Sequence, residues 1–295
     1  VKKILEILKD VENKEIIVVD DNSSDATYLY CKKEFEKNNQ IKLILRKNNR
    51  GLANSIGDGI KVCKGKNIII TGGSLGIGKE TARSLVKKGA NVLITGRSEN
   101  RLIEAKGYTG AKIIEFDIAD NDNICENAKE CIDILDGRVD VLINNAGIGV
   151  RKSIDELNIE DFLKVFNVNV FGLALFTKEI VPHMIKESYG TIINIGSTAS
   201  LKGYKNGSIY SSSKFAVRCL TQCWQAELRP HNIRVCQINP SEVTTAFGNP
   251  KRIERDEIDK KLTPKEISHA IISAIEMDDR GLINELNVWA TNPFN

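Results

Sequence analysis

Apolar runs of strand length recur along most of this 295-residue chain, separated by longer stretches whose apolar positions repeat with a helical period. Within residues 66–295 the runs fall at 67–71, 91–95, 112–116, 139–143, 191–195 and 233–238, with a weaker seventh at 285–289. Their β-branched, nearly continuous apolar character predicts strands buried on both faces. The intervening stretches 76–88, 159–187 and 210–228 read as helices. Strands alternating with helices predict an α/β fold with a parallel sheet covered by helices.

Residues 1–65 carry a second, shorter alternation: a helix at 1–9, a strand at 15–19, a helix at 25–37, a strand at 41–45 and a helix at 52–63. Ile16-Ile17-Val18-Val19-Asp20-Asp21-Asn22-Ser23-Ser24-Asp25 and Arg46-Lys47-Asn48-Asn49-Arg50-Gly51-Leu52-Ala53 make this segment resemble the family 2 glycosyltransferases, particularly polyprenol-phosphate sugar transferases. That resemblance implies acidic residues after the strand that help hold a sugar nucleotide. The family's opening strand is missing, and Ile68-Ile69-Ile70-Thr71-Gly72-Gly73 stands where a metal-binding Asp-x-Asp is expected. Without those aspartates a departing sugar diphosphate has no charge neutraliser. The segment therefore reads as a truncated, non-catalytic remnant, an incomplete α/β appendage joined to 66–295 by a fusion.

Composition narrows the partners. Forty-two basic residues against 39 acidic ones give a net charge of +3, with the two signs interspersed, which argues against a nucleic-acid-binding stripe. No apolar run approaches the length of a membrane span, and no charged-then-apolar leader is seen. A start at Val1 rather than at methionine fits a fragment or a processed chain. Seven cysteines without a CxxC pair read as reduced thiols in a cytoplasmic protein, filling space as small buried hydrophobes. Cys219 and Cys223 could share a helix face, but with no histidine nearby they make a poor metal site, and no metal is expected.

Thr71-Gly72-Gly73-Ser74-Leu75-Gly76-Ile77-Gly78 lies between a predicted strand and a helix. Glycines allow a tight turn and close backbone approach, and a helix N-terminus offers oriented N–H donors to a pyrophosphate. The next strand ends in Arg97-Ser98, where folds selecting NAD usually place an acidic residue. A guanidinium there pairs with a 2′-phosphate, so NADP(H) is expected over NAD(H). Tyr210-x-x-x-Lys214 puts a phenol and an ammonium on one helix face, with Ser197 upstream. A cation one turn away stabilises a phenolate, which makes the tyrosine a candidate acid and base.

The glycine-rich turn, Asn144-Asn145-Ala146-Gly147, Ser197 and Tyr210-x-x-x-Lys214, in this order, resemble the short-chain dehydrogenase/reductase family over nearly all of 66–295. The resemblance implies a Rossmann-type doubly wound sheet and reversible hydride transfer between a nicotinamide and a small ketone, secondary alcohol or 3-oxoacyl substrate. It assigns Tyr210 as general acid/base with its pKa lowered by Lys214 and by an oxidised nicotinamide, Lys214 also to the nicotinamide ribose, and Ser197 to the substrate oxygen. Asn169 would hold a water linking Lys214 to solvent. Asp117 and Ile118 would border the adenine, and Asn144, Ala146 and Gly147 would support the sheet and the cofactor ribose. Pro240, Val243 and Thr245 would enclose the nicotinamide, with Ser241 replacing the usual glycine. The charged stretch 252–261 reads as a substrate cover or a solvated loop. A homodimer or homotetramer through 159–178 and 210–228 is implied as well. Two other readings stay open: an NADP-binding fusion impaired in turnover, and a sugar-nucleotide transferase.

Overall fold

The computed structural model describes residues 1–7, 9, 16–20, 22–35, 37–38, 41–45, 65–249 and 251–292. The predicted helix at 52–63, the motif at 46–53 and Cys63 lie outside them. The chain forms two compact units, Val1–Gly65 and Lys66–Asn295. Among the described residues no helix is long and apolar enough to cross a membrane.

In the first unit, α1 (Lys2–Ile7), β1 (Ile16–Asp20), α2 (Thr27–Phe35) and β2 (Ile41–Leu45) follow in order. The two strands pair in parallel from Ile16↔Ile41, and Ile16, Cys31, Phe35 and Ile41 make a small core.

The second unit is built from β3 (Asn67–Ile70), α3 (Gly76–Lys87), β4 (Asn91–Gly96), α4 (Glu99–Thr109), β5 (Lys112–Glu115), α5 (Ile124–Ile134) and β6 (Val141–Asn144). It continues with α6 (Ile159–Phe166), α7 (Leu173–Glu187), β7 (Gly190–Ile195), α8 (Ser208–Leu228), β8 (Ile233–Pro240), α9 (Pro264–Glu276) and β9 (Glu285–Val288). Its seven strands form one parallel sheet in the order β5-β4-β3-β6-β7-β8-β9.

Successive side chains of a strand point to opposite faces. Ile68 and Ile70 therefore join Ala82, Leu85, Ile267 and Ile271 on one side, while Ile69 joins Ile132, Phe176, Ile180 and Met184 on the other. Two covered faces account for the continuous apolar runs. The chain leaves β3 for β4 on one side and later returns to β6 on the other. At that reversal the connections run to opposite faces of the sheet, and the loops after β3 and β6 border a crevice beyond the strand ends.

Two expectations are corrected. The stretch 159–187 is not one regular helix: α6 and α7 are joined by a π turn, Asn167–Gly172. A Cβ at Gly172 would lie 2.0 Å from the Ile118 carbonyl oxygen, so backbone passes backbone here and only glycine fits. Wide turns of this kind often mark functional positions, and this one turns Asn169 fully inward. The cysteines divide as well. Cys31, Cys131 and Cys236 are buried, but Cys125, Cys219 and Cys223 are exposed, on the outer faces of α5 and α8. Burial pushes the Cys131 and Cys236 thiols up to about 12.

Candidate active site

The crevice is laced together by Thr71. Its hydroxyl accepts the N–H of Asn145 and of Ala146, each at 3.1 Å, while the Asn145 side-chain amide donates to the carbonyls of Thr71 and Gly72. Gly72 sits at φ +63°, and a Cβ there would lie 2.8 Å from Ala146 Cα. The two turns touch through glycine backbone, which L side chains would both strain and wedge apart.

All of the predicted cofactor residues except Gly73, Gly78 and Asn144 line one cavity of about 1070 Å³, with Ser197, Tyr210 and Lys214 at one end of it. The three exceptions lie behind the wall. A Cβ at Gly73 would strike Ile94, and one at Gly78 would strike the Asn145 amide, both at 2.5 Å. Asn144 donates to Thr177 Oγ1 and Asn194 Oδ1 inside the sheet, so its neighbour Asn145 faces the cavity in its place.

At the other end Arg97 stands 4.0 Å from Asp117, well exposed. Arg101, one turn into α4, donates to the Lys251 carbonyl at 3.3 Å. Arg252 belongs to the same cavity wall, and its guanidinium is half-desolvated and repelled by Arg97 and Arg101. Arg101 was not singled out from the sequence, although it follows Arg97 by only four residues. Arg252 arrives from far along the sequence and had no signal.

The N-terminus of α3 already holds an anion. The Gly76 N–H donates to Glu254 Oε1 at 2.8 Å, the Ala246 N–H donates to Oε2 at 3.0 Å, and Lys79 Nζ lies 3.5 Å from Oε1. A carboxylate at a helix N-terminus is electrostatically favoured, and a pyrophosphate is favoured for the same reason. The positive-φ cradle, this anion seat and the facing guanidinium groups together fit a nicotinamide dinucleotide.

Ser197 ends the loop after β7, and its hydroxyl accepts the Ala199 N–H at 3.1 Å. It also hydrogen-bonds Tyr210. Burial pushes the Tyr210 phenol up to about 12, opposed by the Ser197 hydrogen bond and nearby Arg151 and reinforced by Tyr204. From the protein's own groups the shift is upward, against the lowering expected from Lys214, because desolvation of the phenolate outweighs its polar neighbours. Lys214 is likewise buried, which lowers its pKa to about 8. Its Nζ donates to the Ile195 carbonyl at 2.7 Å and lies 5.9 Å from the Tyr210 ring centroid.

Asn169 braces the turn opposite. Its Oδ1 accepts the Ile148 N–H, and its two amide hydrogens go to the Ile148 carbonyl and Ser213 Oγ. A Cβ at Gly147 would lie 3.4 Å from Asn169 Oδ1 and 3.7 Å from Lys214 Nζ, so a side chain here would press on both. Through these three bonds the side chain braces the wall beside Lys214.

Phe247 packs on Tyr210 with ring centroids 5.6 Å apart. Arg255 ties the segment beyond β8 down through the carbonyls of Val243 and Thr245. In the first unit, the Asp20 carboxylate is buried and accepts both the backbone N–H and the hydroxyl of Ser23 at 2.8 Å.

Residues 66–256 match the family described as short chain dehydrogenase, and residues 1–72 match glycosyl transferase family 2. An uncharacterized oxidoreductase of Staphylococcus saprophyticus is 34% identical over 233 residues, covering 76% of this chain and 96% of that protein. A ketoacyl reductase of Nostoc is 30% identical over 218 residues, covering 72% of this chain and 76% of its own. The closed form of a serine dehydrogenase complexed with NADP+ superposes with a TM-score of 0.68 at 28% identity, over 75% of this chain and 94% of that one. The reversal at β3, the glycine cradle and the Ser197–Tyr210–Lys214 end thus occur in a chain that belongs to the short chain dehydrogenase family of oxidoreductases.

Proposed function

We propose that residues 66–295 reduce a small ketone or 3-oxoacyl substrate with NADPH, or oxidise the corresponding secondary alcohol with NADP+. The observation that carries this is the convergence of Ser197, Tyr210 and Lys214 at one end of a cavity whose other end is lined by Arg97, Arg101 and Arg252. The NADP+ complex of the serine dehydrogenase and the ketoacyl reductase of Nostoc point the same way.

The bound nicotinamide supplies or accepts the hydride. The protein's part is to hold the carbonyl and move a proton. A phenol with a pKa near 12 is fully protonated at neutral pH, so Tyr210 enters the reduction as the proton donor. Ser197 donates to the same oxygen and fixes its position. Lys214 carries its proton below about pH 8, and its charge then steadies the phenolate that the reaction leaves behind. Asn169 keeps the Gly147–Ile148 wall against Lys214.

Arg97 is expected to read the 2′-phosphate through its guanidinium fork. Arg97→Asp should shift the NADPH/NADH ratio of kcat/KM toward NADH by roughly 10- to 100-fold, the worth of a charge-assisted hydrogen bond. An unchanged ratio rejects the phosphate clamp. The activity itself is tested by following NADPH consumption against ketones, diketones and 3-oxoacyl thioesters; NADPH binding without turnover of any of them speaks for a cofactor-binding scaffold.

Two further readings belong here. Ile159, Leu163 and Phe215 are exposed apolar side chains on α6 and α8, which supports a homodimer or homotetramer; a monomer in sedimentation overturns that reading. Residues 1–65 form a non-catalytic remnant, supported by Asp20, whose carboxylate is already taken up by Ser23.

A further inference from the structure

The substrate end of the cavity carries positive charge that the protein does not balance. Arg151 and Lys202 both line it. Among the described residues two acids share the lining, and neither is available to them. Asp117 stands beside Arg97 at the adenosine end. Glu242 is gripped by Lys261 at 2.8 Å and by Arg255 at 3.3 Å.

Arg151 is the better placed of the two cations. It follows Gly149, where an added Cβ would lie 3.3 Å from the Tyr210 ring and 3.2 Å from Phe247. Backbone at Gly149 therefore runs against the acid–base tyrosine, and Arg151 stands two residues further along the same cavity wall. Its guanidinium lies over the Tyr204 ring at 5.6 Å, a stacking that restricts where it points, and it lowers the Tyr210 pKa from there. The neighbouring Lys152 takes up Asp161, and among the described residues no carboxylate pairs with Arg151.

We infer that Arg151 binds the carboxylate of the substrate, and that the enzyme acts on short oxo acids and their hydroxy acids in preference to neutral ketones or esters. This rests on the carbonyl-reductase reading above. In the reduction, the carbonyl carbon gains the hydride of NADPH, the carbonyl oxygen gains the Tyr210 proton, and the carboxylate stays unchanged on the guanidinium. A planar fork matches a carboxylate through two parallel N–H donors, which fixes the angle of the carbonyl as well as its place. A phosphate on a long thioester arm is a poorer candidate, because a cation acting on Tyr210 lies close to the reacting carbon and such a phosphate does not.

The test compares acetoacetate with its methyl ester, NADPH as reductant, in the wild-type full chain, Arg151→Gln and Arg151→Lys. The wild type is expected to prefer the anion. Arg151→Gln should lower the acetoacetate/ester ratio of kcat/KM by roughly 10- to 100-fold, mostly through KM, with Arg151→Lys in between. Unchanged NADPH affinity in both variants separates this from misfolding. A wild type that prefers the ester, or a ratio unmoved in Arg151→Gln, overturns the assignment. Failure of the wild type to reduce either compound or any other ketone removes the carbonyl-reductase reading, and the assignment with it.

Discussion

Tyr210→Phe abolishes turnover, by about a thousandfold or more, while NADPH binding stays within roughly threefold of wild type. The magnitude is that of losing a positioned general acid. Retained binding follows because the substitution keeps the ring on Phe247 and leaves the glycine cradle and the arginines untouched. Steady-state NADPH oxidation, paired with a fluorescence titration of NADPH, reads both quantities. Turnover of the variant within tenfold of wild type would move the proton donor elsewhere. Loss of NADPH binding would instead show that the phenol holds the cofactor.

Lys214→Met is expected to end catalysis and yet stabilise the fold near neutral pH. A buried ammonium with one carbonyl partner is a costly group. Its pKa falls from the ordinary 10.5 to about 8, a difference of roughly 3 kcal/mol against the charged folded form. Methionine removes that cost and leaves the Ile195 carbonyl unpaired, at about 1–2 kcal/mol. The net gain corresponds to a few degrees in Tm for a domain of this size.

The sign has a pH signature. Between about pH 8 and 10.5 the unfolded lysine binds more protons than the folded one, so wild-type stability rises through that window. Below pH 8 the cost is constant, and above 10.5 it is gone. The advantage of the variant should therefore be full at pH 7 and shrink as pH climbs toward 10.5. A variant less stable than wild type at pH 7 would mean that packing around the Lys214 stem outweighs the buried charge.

Much of this site was legible as spacing. Tyr210 and Lys214 share a face because a helix repeats every 3.6 residues. Gly72 and Gly76 were legible because the tight turn takes them to positive φ. The apolar runs identified the strands because a sheet covered on both faces leaves no polar alternation to blur them. The π turn was not legible, since its residues, Asn167-Val168-Asn169-Val170-Phe171-Gly172, carry the same apolar period as the helices around them. What sets it is the approach of Gly172 to Ile118, a tertiary contact. The upward Tyr210 shift belongs to the same class, because desolvation depends on everything packed around the ring and one turn of helix does not report it. Arg151, Arg252 and Glu254 escaped for a simpler reason: their partners are distant in the chain, and their loops have no period to read.

Glu254 has a consequence for the strength of cofactor binding. A dinucleotide whose pyrophosphate takes the Gly76 N–H must first evict a carboxylate already bonded there and to Ala246. The measured cofactor affinity is then the margin of one anion over another, reduced by the share of molecules in which Glu254 is seated. The next residue, Arg255, anchors the wall at Val243 and Thr245. Displacing Glu254 therefore pulls on the residue that anchors the wall beyond β8, so cofactor affinity is expected to respond to substitutions in that wall.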